Sequence, residues 1–190
     1  MINRSGGQRT GTTGGHIDMA LPGSGLIGYY GYGGNGGSYN GVGMGLTGHL
    51  NWGYNDWLNG PTARPQYVNG PAGGVLSTIC QVMVCPSQIA QMNAAAQAMQ
   101  ANPGTFNMLG GNCSTHACSI LGAGGVMQSG ISGINNPQNL QDQLVSGYNA
   151  NCFTGYTQMD NAGNVTITQA GAAPVGTPTP GAGGGGYSHY

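Results

Sequence analysis

Apolar residues in this chain come in short runs broken by Gly, Pro and Asn, and most of those runs are of strand length. Runs at 16–21 and 26–32 flank Pro22-Gly23-Ser24-Gly25, turn chemistry that predicts a β-hairpin. Residues 33–48 read as a Gly/Asn/Ser loop, and 49–58, which hold Trp52 and Trp57, as a further strand or an aromatic lid. Pro and Gly between 59 and 74 predict loop, and the β-branched stretch 75–85 suits a strand. The clearest helix follows over 88–101, with Ser87 as candidate N-cap and Ile89, Met92, Ala96 and Met99 on one face. Asn102-Pro103-Gly104 stops it. A short extended piece at 105–109 and Gly110-Gly111-Asn112 lead into a second helix at 113–123, ended by Gly124-Gly125. A short third helix is expected at 139–145, and a turn at 160–164 before a strand at 165–168. The glycines show no fixed period, which disfavours a solenoid.

The ends differ in composition from the middle. Residues 1–14 read as a flexible Gly/Thr/Ser-rich leader and 170–190 as a disordered Gly/Pro-rich tail, leaving 15–169 as one domain. The N-terminus lacks the basic and apolar regions of a secretory signal, as expected of a cytosolic protein, a processed one, or a domain cut from something larger.

Charge narrows the possible functions. The 190 residues include 40 Gly, three Arg, four Asp, no Lys and no Glu, with a formal charge of -1. A nucleic-acid binder needs a basic stripe, which three Arg cannot build. No apolar run is long enough to span a membrane as a helix. Without Lys there is no phosphate-cradling Gly-Lys-Ser/Thr loop, and without Glu, with dispersed Asp, no carboxylate pair for glycosidase chemistry. Thiol and imidazole remain.

Five cysteines stand at 80, 85, 113, 118 and 152. Cys80 and Cys85 lack a second half of the kind a zinc site needs, and no metal or cofactor is expected. One pairing joins Cys80 to Cys85 and Cys118 to Cys152, leaving Cys113 free; the alternative is five reduced thiols, some of them buried. Disulfides would mean an oxidising environment.

Cys113 follows Gly-Gly-Asn at the expected start of a helix. Free backbone N–H groups and partial positive charge there favour the thiolate and can hold the oxyanion of a tetrahedral intermediate. Position alone also suits a small buried apolar residue. A thiolate nucleophile needs a base, and the histidines are His16, His49, His116 and, in the tail, His189.

The segment from Asn102-Pro103-Gly104-Thr105-Phe106-Asn107-Met108-Leu109 through Asn112-Cys113-Ser114 to Leu121-Gly122-Ala123-Gly124-Gly125-Val126 resembles the nucleophile region of circularly permuted papain-like proteins. Gly15-His16-Ile17-Asp18-Met19 and Gly28-Tyr29-Tyr30-Gly31-Tyr32 resemble the same family's histidine strand and its continuation, and His before Cys is the permuted order. The resemblance covers about residues 15–126, most weakly in the middle. It implies an α+β fold, a small antiparallel sheet packed on a nucleophile-bearing helix, with Cys113 as nucleophile and His16 as base. For the third, orienting group it points to the strand after His16, hence to His49, with Asn51 nearby. Asp18 shares His16's face by period two, but a side chain on the same strand seldom reaches the far ring nitrogen. The position of His116 is often acidic in the relatives; one turn beyond Cys113, it lines the cleft or faces solvent.

Asn112, Tyr30, Trp52 and His116 are the candidate substrate contacts, although Trp52, Trp57, Tyr29, Tyr30 and Tyr32 suit ordinary packing equally. Such domains occur among NlpC-type cell-wall hydrolases, lecithin retinol acyltransferase-like enzymes and toxin domains of secreted bacterial effectors. The expectation is a thiol hydrolase cutting a peptidoglycan peptide amide as an antibacterial toxin, secreted or delivered to the target-cell periplasm. An immunity protein or a parent effector would be its partner, with no nucleic acid and no transmembrane segment. The alternatives are a cysteine protease or deamidase acting on a protein, and a non-catalytic structural or adhesive module.

Overall fold

A computed structural model describes residues 1–4, 15–32, 46–107, 110–127 and 136–171. Eight antiparallel strands form one sheet: β1 (Ile2–Asn3), β2 (Ile17–Leu21), β3 (Gly25–Tyr32), β4 (Leu46–Trp52), β5 (Ser77–Gln81), β6 (Thr105–Phe106), β7 (Asn151–Met159) and β8 (Val165–Gln169). Their order across the sheet is β6-β4-β3-β2-β1-β5-β7-β8. Four α-helices, α1 (Tyr54–Asn59), α2 (Pro86–Ala101), α3 (Cys113–Ala123) and α4 (Pro137–Tyr148), and two single 3-10 turns (Pro65–Tyr67 and Gly70–Ala72) lie among the described residues. The class is α+β.

Period two sorts the strand side chains onto two faces. Ile17, Met19 and Leu21 of β2 face α2, α3 and α4, where Met92, Ile120, Leu121, Leu140 and Leu144 close the larger core. The other face carries Ile2, Leu26 and Ile79 under Trp57 of α1 and Val68. Trp57 is fully buried and its indole N–H donates to the Leu26 carbonyl, so the polar edge of this large side chain costs nothing unpaired. Each such buried apolar side chain contributes roughly 1.5–3 kcal/mol.

Several elements differ from the pattern-based expectation. Residues 1–4 are not leader: β1 lies between β2 and β5, and Ile2, Asn3 and Arg4 are all buried. Two residues are too few to show a period, so the Gly/Thr/Ser composition that follows masked them; 5–14 lie outside the described residues. Of the 33–48 loop only 46–48 are described, and they open β4. β7 lacks a clean apolar alternation because its exposed positions, Asn151, Thr154 and Gln158, are polar, while Gly155, Thr157 and Met159 alternate inward. The first long helix starts at Pro86 with Cys85 rather than Ser87 as N-cap, since Pro fits the first helical position. Of the 170–190 tail, 172–190 lie outside the described residues.

The disulfide also differs from the proposed pairing. Cys80 on β5 and Cys152 on β7 are register partners, with Cα atoms 4.1 Å apart, and are joined. Cys85, exposed, and Cys113 and Cys118, both buried, are not part of a disulfide. Register, not nearness in sequence, decided the pair: Cys80 ends in a strand and Cys85 caps a helix.

Candidate functional site

Helix α3 is built locally. Asn112 adopts an extended backbone and its side-chain carbonyl accepts from the N–H groups of Ser114 (2.9 Å) and Thr115 (3.0 Å), while Thr115 Oγ1 accepts from Asn112 N–H at 2.8 Å. This reciprocal cap satisfies N–H groups that a helix start leaves open. It puts Cys113 at the first helical position, where its own N–H has no intrahelical carbonyl to bind. Cys113, Ala117, Ile120 and Leu121 then recur on the buried face, and Gly124-Gly125 ends the helix, Gly125 at φ 66°.

Cys113 meets the sheet at the open end of β2. Its sulfur faces the His16 ring and the Ile17 backbone N–H, and both favour the thiolate. The other side of that ring is held as well: His16 Nε2 lies 2.8 Å from Asp18 Oδ1. Nδ1 is therefore the nitrogen left for the sulfur. Cys113, His16 and Asp18 form a continuous line of thiol, imidazole and carboxylate.

The carboxylate is fixed in turn. Arg4 Nε donates to Asp18 Oδ2 at 2.6 Å, and the two side chains are 1% and 0% exposed. Arg4 Nη1 donates to Thr157 Oγ1 (2.8 Å) and Ser77 Oγ (3.3 Å), and its guanidinium lies 4.5 Å over the Tyr67 ring. Tyr30 donates its hydroxyl to Asp18 Oδ1 at 3.1 Å and stacks its ring on His16, centroids 4.0 Å apart. Gly28 is the register partner of Asp18, and a Cβ there would run into the carboxylate, Trp57 and Tyr30. Arg4, Asp18 and Tyr30 all project from the sheet face opposite α3; His16, at the strand end, joins that face to Cys113.

The charges support one another. Burial opposes ionisation of His16 but is outweighed by the Cys113 thiolate and the Asp18 carboxylate, which raise its pKa to about 9. Burial pushes the Cys113 thiol up, and the His16 charge and hydrogen bond more than reverse this, so its pKa is lowered. Asp18 is also lowered: Arg4 and His16 outweigh its burial. Both shifts favour the thiolate–imidazolium pair, the form in which a thiol attacks and an imidazolium protonates a leaving group.

The other sequence-derived candidates are placed differently. His49 does not join the line. It stands opposite Tyr30 on β4, one strand further out, and its Nε2 is 3.0 Å from both oxygens of Asp56. Asp18 takes the orienting place because His16 precedes the strand proper, so its ring swings back over the residue two positions on. Trp52, aligned with Ile27, lines a cavity of about 580 Å³ beside the 22–25 turn, at the far end of β2 from His16. Tyr30 is at the site, but buried and turned onto Asp18 rather than outward. Asn112 caps α3. His116 lies flat on Tyr29, ring centroids 3.4 Å apart, with Nδ1 3.1 Å from the Asn112 carbonyl, and burial lowers its pKa.

Arg4, Ser77 and Thr157 were missed. The signal for Arg4 is its scarcity: one of three arginines, two positions after the apolar Met1-Ile2. Among the described residues, no group of three or more metal-ligating side chains converges, and no helix is long and apolar enough to cross a membrane. No protein-family model, no curated protein and no solved structure matches this chain.

Proposed function

We propose that this chain is a thiol hydrolase of permuted papain-like build that cleaves an amide through Cys113, His16 and Asp18. The observation that carries the proposal is the line from the Cys113 sulfur through His16 to Asp18, with His16 Nε2 2.8 Å from the carboxylate. The thiolate adds to the amide carbonyl carbon, and the oxyanion formed is met by the free N–H at the start of α3. His16 gives its proton to the leaving nitrogen as the C–N bond breaks. Neutral His16 then takes a proton from water, the hydroxide attacks the thioester, and C–S cleavage restores the thiolate.

The substrate is a peptidoglycan peptide amide and the role that of an antibacterial toxin, paired with an immunity protein or carried by a parent effector and working in the target-cell periplasm. The resemblance at 15–32 and 102–126 supports this, and so does the Cys80–Cys152 disulfide, which belongs in an oxidising compartment.

Purified peptidoglycan incubated with the wild type and with Cys113→Ala, then resolved by mass spectrometry, tests it. A new free amine made by the wild type and not by the variant is expected. A product that survives Cys113→Ala overturns the mechanism. A thiol that labels rapidly near pH 6 while no peptidoglycan product forms moves the substrate to a protein amide.

A further inference from the structure

Beside the Cys113 line stands a cation, Arg64, with no acidic partner among the described residues. Each of the four Asp residues is engaged elsewhere: Asp18 by Arg4 and His16, Asp56 by His49, Asp142 by Gln138, and Asp160 by Ala162 and Asn164 of its own turn. Arg64 is half-buried and, among the described residues, has no carboxylate partner.

Its place is rigidly held. Asn51 and Thr62, both buried, bind one another: the Thr62 hydroxyl donates to Asn51 Oδ1, and Asn51 Nδ2 donates to the Thr62 carbonyl at 2.9 Å. That ties the 60–64 loop to β4. The Arg64 backbone N–H donates to the Trp57 carbonyl at 2.8 Å, and its Nη1 donates to the Ala63 carbonyl at 2.8 Å. The guanidinium sits 5.2 Å over the ring of Tyr30, the same ring on which His16 stacks. Nε and Nη2 have no partner among the described residues. A fork fixed on one side and open on the other, with its charge uncompensated, is how arginine presents itself to a carboxylate.

We propose that Arg64 binds a carboxylate of the substrate, so that the enzyme acts on acyl donors carrying a free carboxylate within about one residue of the scissile carbonyl. The proposal rests on the thiol-hydrolase reading of Cys113 and names its substrate class. In a peptidoglycan stem this selects peptides whose carboxylate next to the cleaved bond is free over those in which it is amidated. Leaving a half-buried guanidinium facing a carboxamide forfeits a charge-assisted hydrogen bond.

Two alkylating agents that differ only in terminal charge test this without the natural substrate: N-iodoacetylglycine and N-iodoacetylglycinamide. The full chain is used in a Cys85→Ser background, which removes the exposed thiol, and alkylation of Cys113 is followed by mass spectrometry. The carboxylate reagent is expected to react about tenfold faster than the amide, and Arg64→Gln to bring that ratio to about one. Arg64→Lys, which keeps charge but not the fork, should fall between. A general change in thiolate reactivity moves both rates and cancels in the ratio. A wild-type ratio near one, or one unchanged in folded Arg64→Gln, overturns the proposal. Should the variants not fold, the wild-type ratio and its fall at high salt decide alone. Slow alkylation by both reagents would instead overturn the activated thiolate, and with it the hydrolase reading.

Discussion

His16, just before β2, and Asp18 within it are two residues apart, and their side chains meet, Nε2 to Oδ1, at 2.8 Å. Same-strand neighbours usually stand side by side, pointing away from the sheet. Here the ring lies back along the strand because Tyr30 supports it from β3 and because Gly28, opposite Asp18, leaves the carboxylate room. An imidazole and the carboxylate that holds it thus come from a single pentapeptide, Gly15 to Met19.

Asp18→Asn keeps the shape and removes the charge that helps hold His16 protonated. The kcat/KM profile of the wild type should be bell-shaped, with an acid limb below the ordinary thiol range from Cys113 and an alkaline limb near 9 from His16. In Asp18→Asn the alkaline limb should move down toward the ordinary imidazole value, with a loss of roughly 10²–10⁴-fold at the optimum. An alkaline limb still at its wild-type position would remove Asp18 from the mechanism.

Arg4→Gln leaves three buried charges, on Asp18, His16 and Cys113, that sum to one negative. The cluster regains neutrality by taking up a proton, so the acid limb should rise in pH. Stability should fall by about 3–5 kcal/mol, the cost of stranding one partner of a buried pair. Arg4→Lys should keep the acid limb near its wild-type position. Stopped-flow pH profiles and urea unfolding separate the two effects, since a merely structural arginine would change stability without moving the limb.

Stability should depend on pH in a defined way. His16, raised to about 9, stabilises the fold fully below its ordinary 6.5 and loses that contribution as pH rises toward 9. Cys113, lowered from 9.0, does the reverse: its contribution is complete above 9.0 and is lost as pH falls through its lowered value. The two slopes offset one another between about 6.5 and 9, where a proton only moves from sulfur to nitrogen on folding. On the acid side stability falls as Cys113 and then Asp18, itself lowered, are protonated. Urea midpoints from pH 4 to 9 measure this, and a steep slope between 7 and 8.5 would contradict the ion pair.

Removing the Cys80–Cys152 bond by Cys152→Ser should cost about 2–5 kcal/mol, because it closes a loop with a sequence separation of 72. The Cys113 line does not include it, so alkylation of Cys113 in the folded variant at low temperature should keep its wild-type rate. A slowed Cys113 in a folded Cys152→Ser chain would show that β5 and β7 set the site geometry through this bond.

Much of the helical layer was legible because its signals are local. Asn112 before Cys113 and Gly124-Gly125 after Ala123 bound α3 within a dozen positions, and the Pro22–Gly25 turn announces the β2–β3 hairpin by its own chemistry. β1 and β7 were not legible, since a strand of two residues has no period and one with a polar outer face looks like loop. His49 misled for a related reason: its neighbour Asp56 lies on the α1 turn that follows, a position no strand pattern reveals, and that carboxylate claims the ring.

The sequence by itself determined the helix that presents Cys113, the hairpin that follows His16, and, through the absence of Lys and Glu, a choice of chemistry reduced to thiol and imidazole. Only the tertiary structure decided which carboxylate holds His16, which cation holds that carboxylate, which cysteines pair, and that Arg64 has no carboxylate partner among the described residues. Capping and turn formation are settled by contacts a few residues apart, which the chain spells out in order. Asp18's hold depends on Arg4, Ser77 and Thr157 converging from three different strand regions, and the disulfide on β5 and β7 lying side by side in one register. Those are properties of the assembled sheet, in which burial, not order along the chain, chooses the partner.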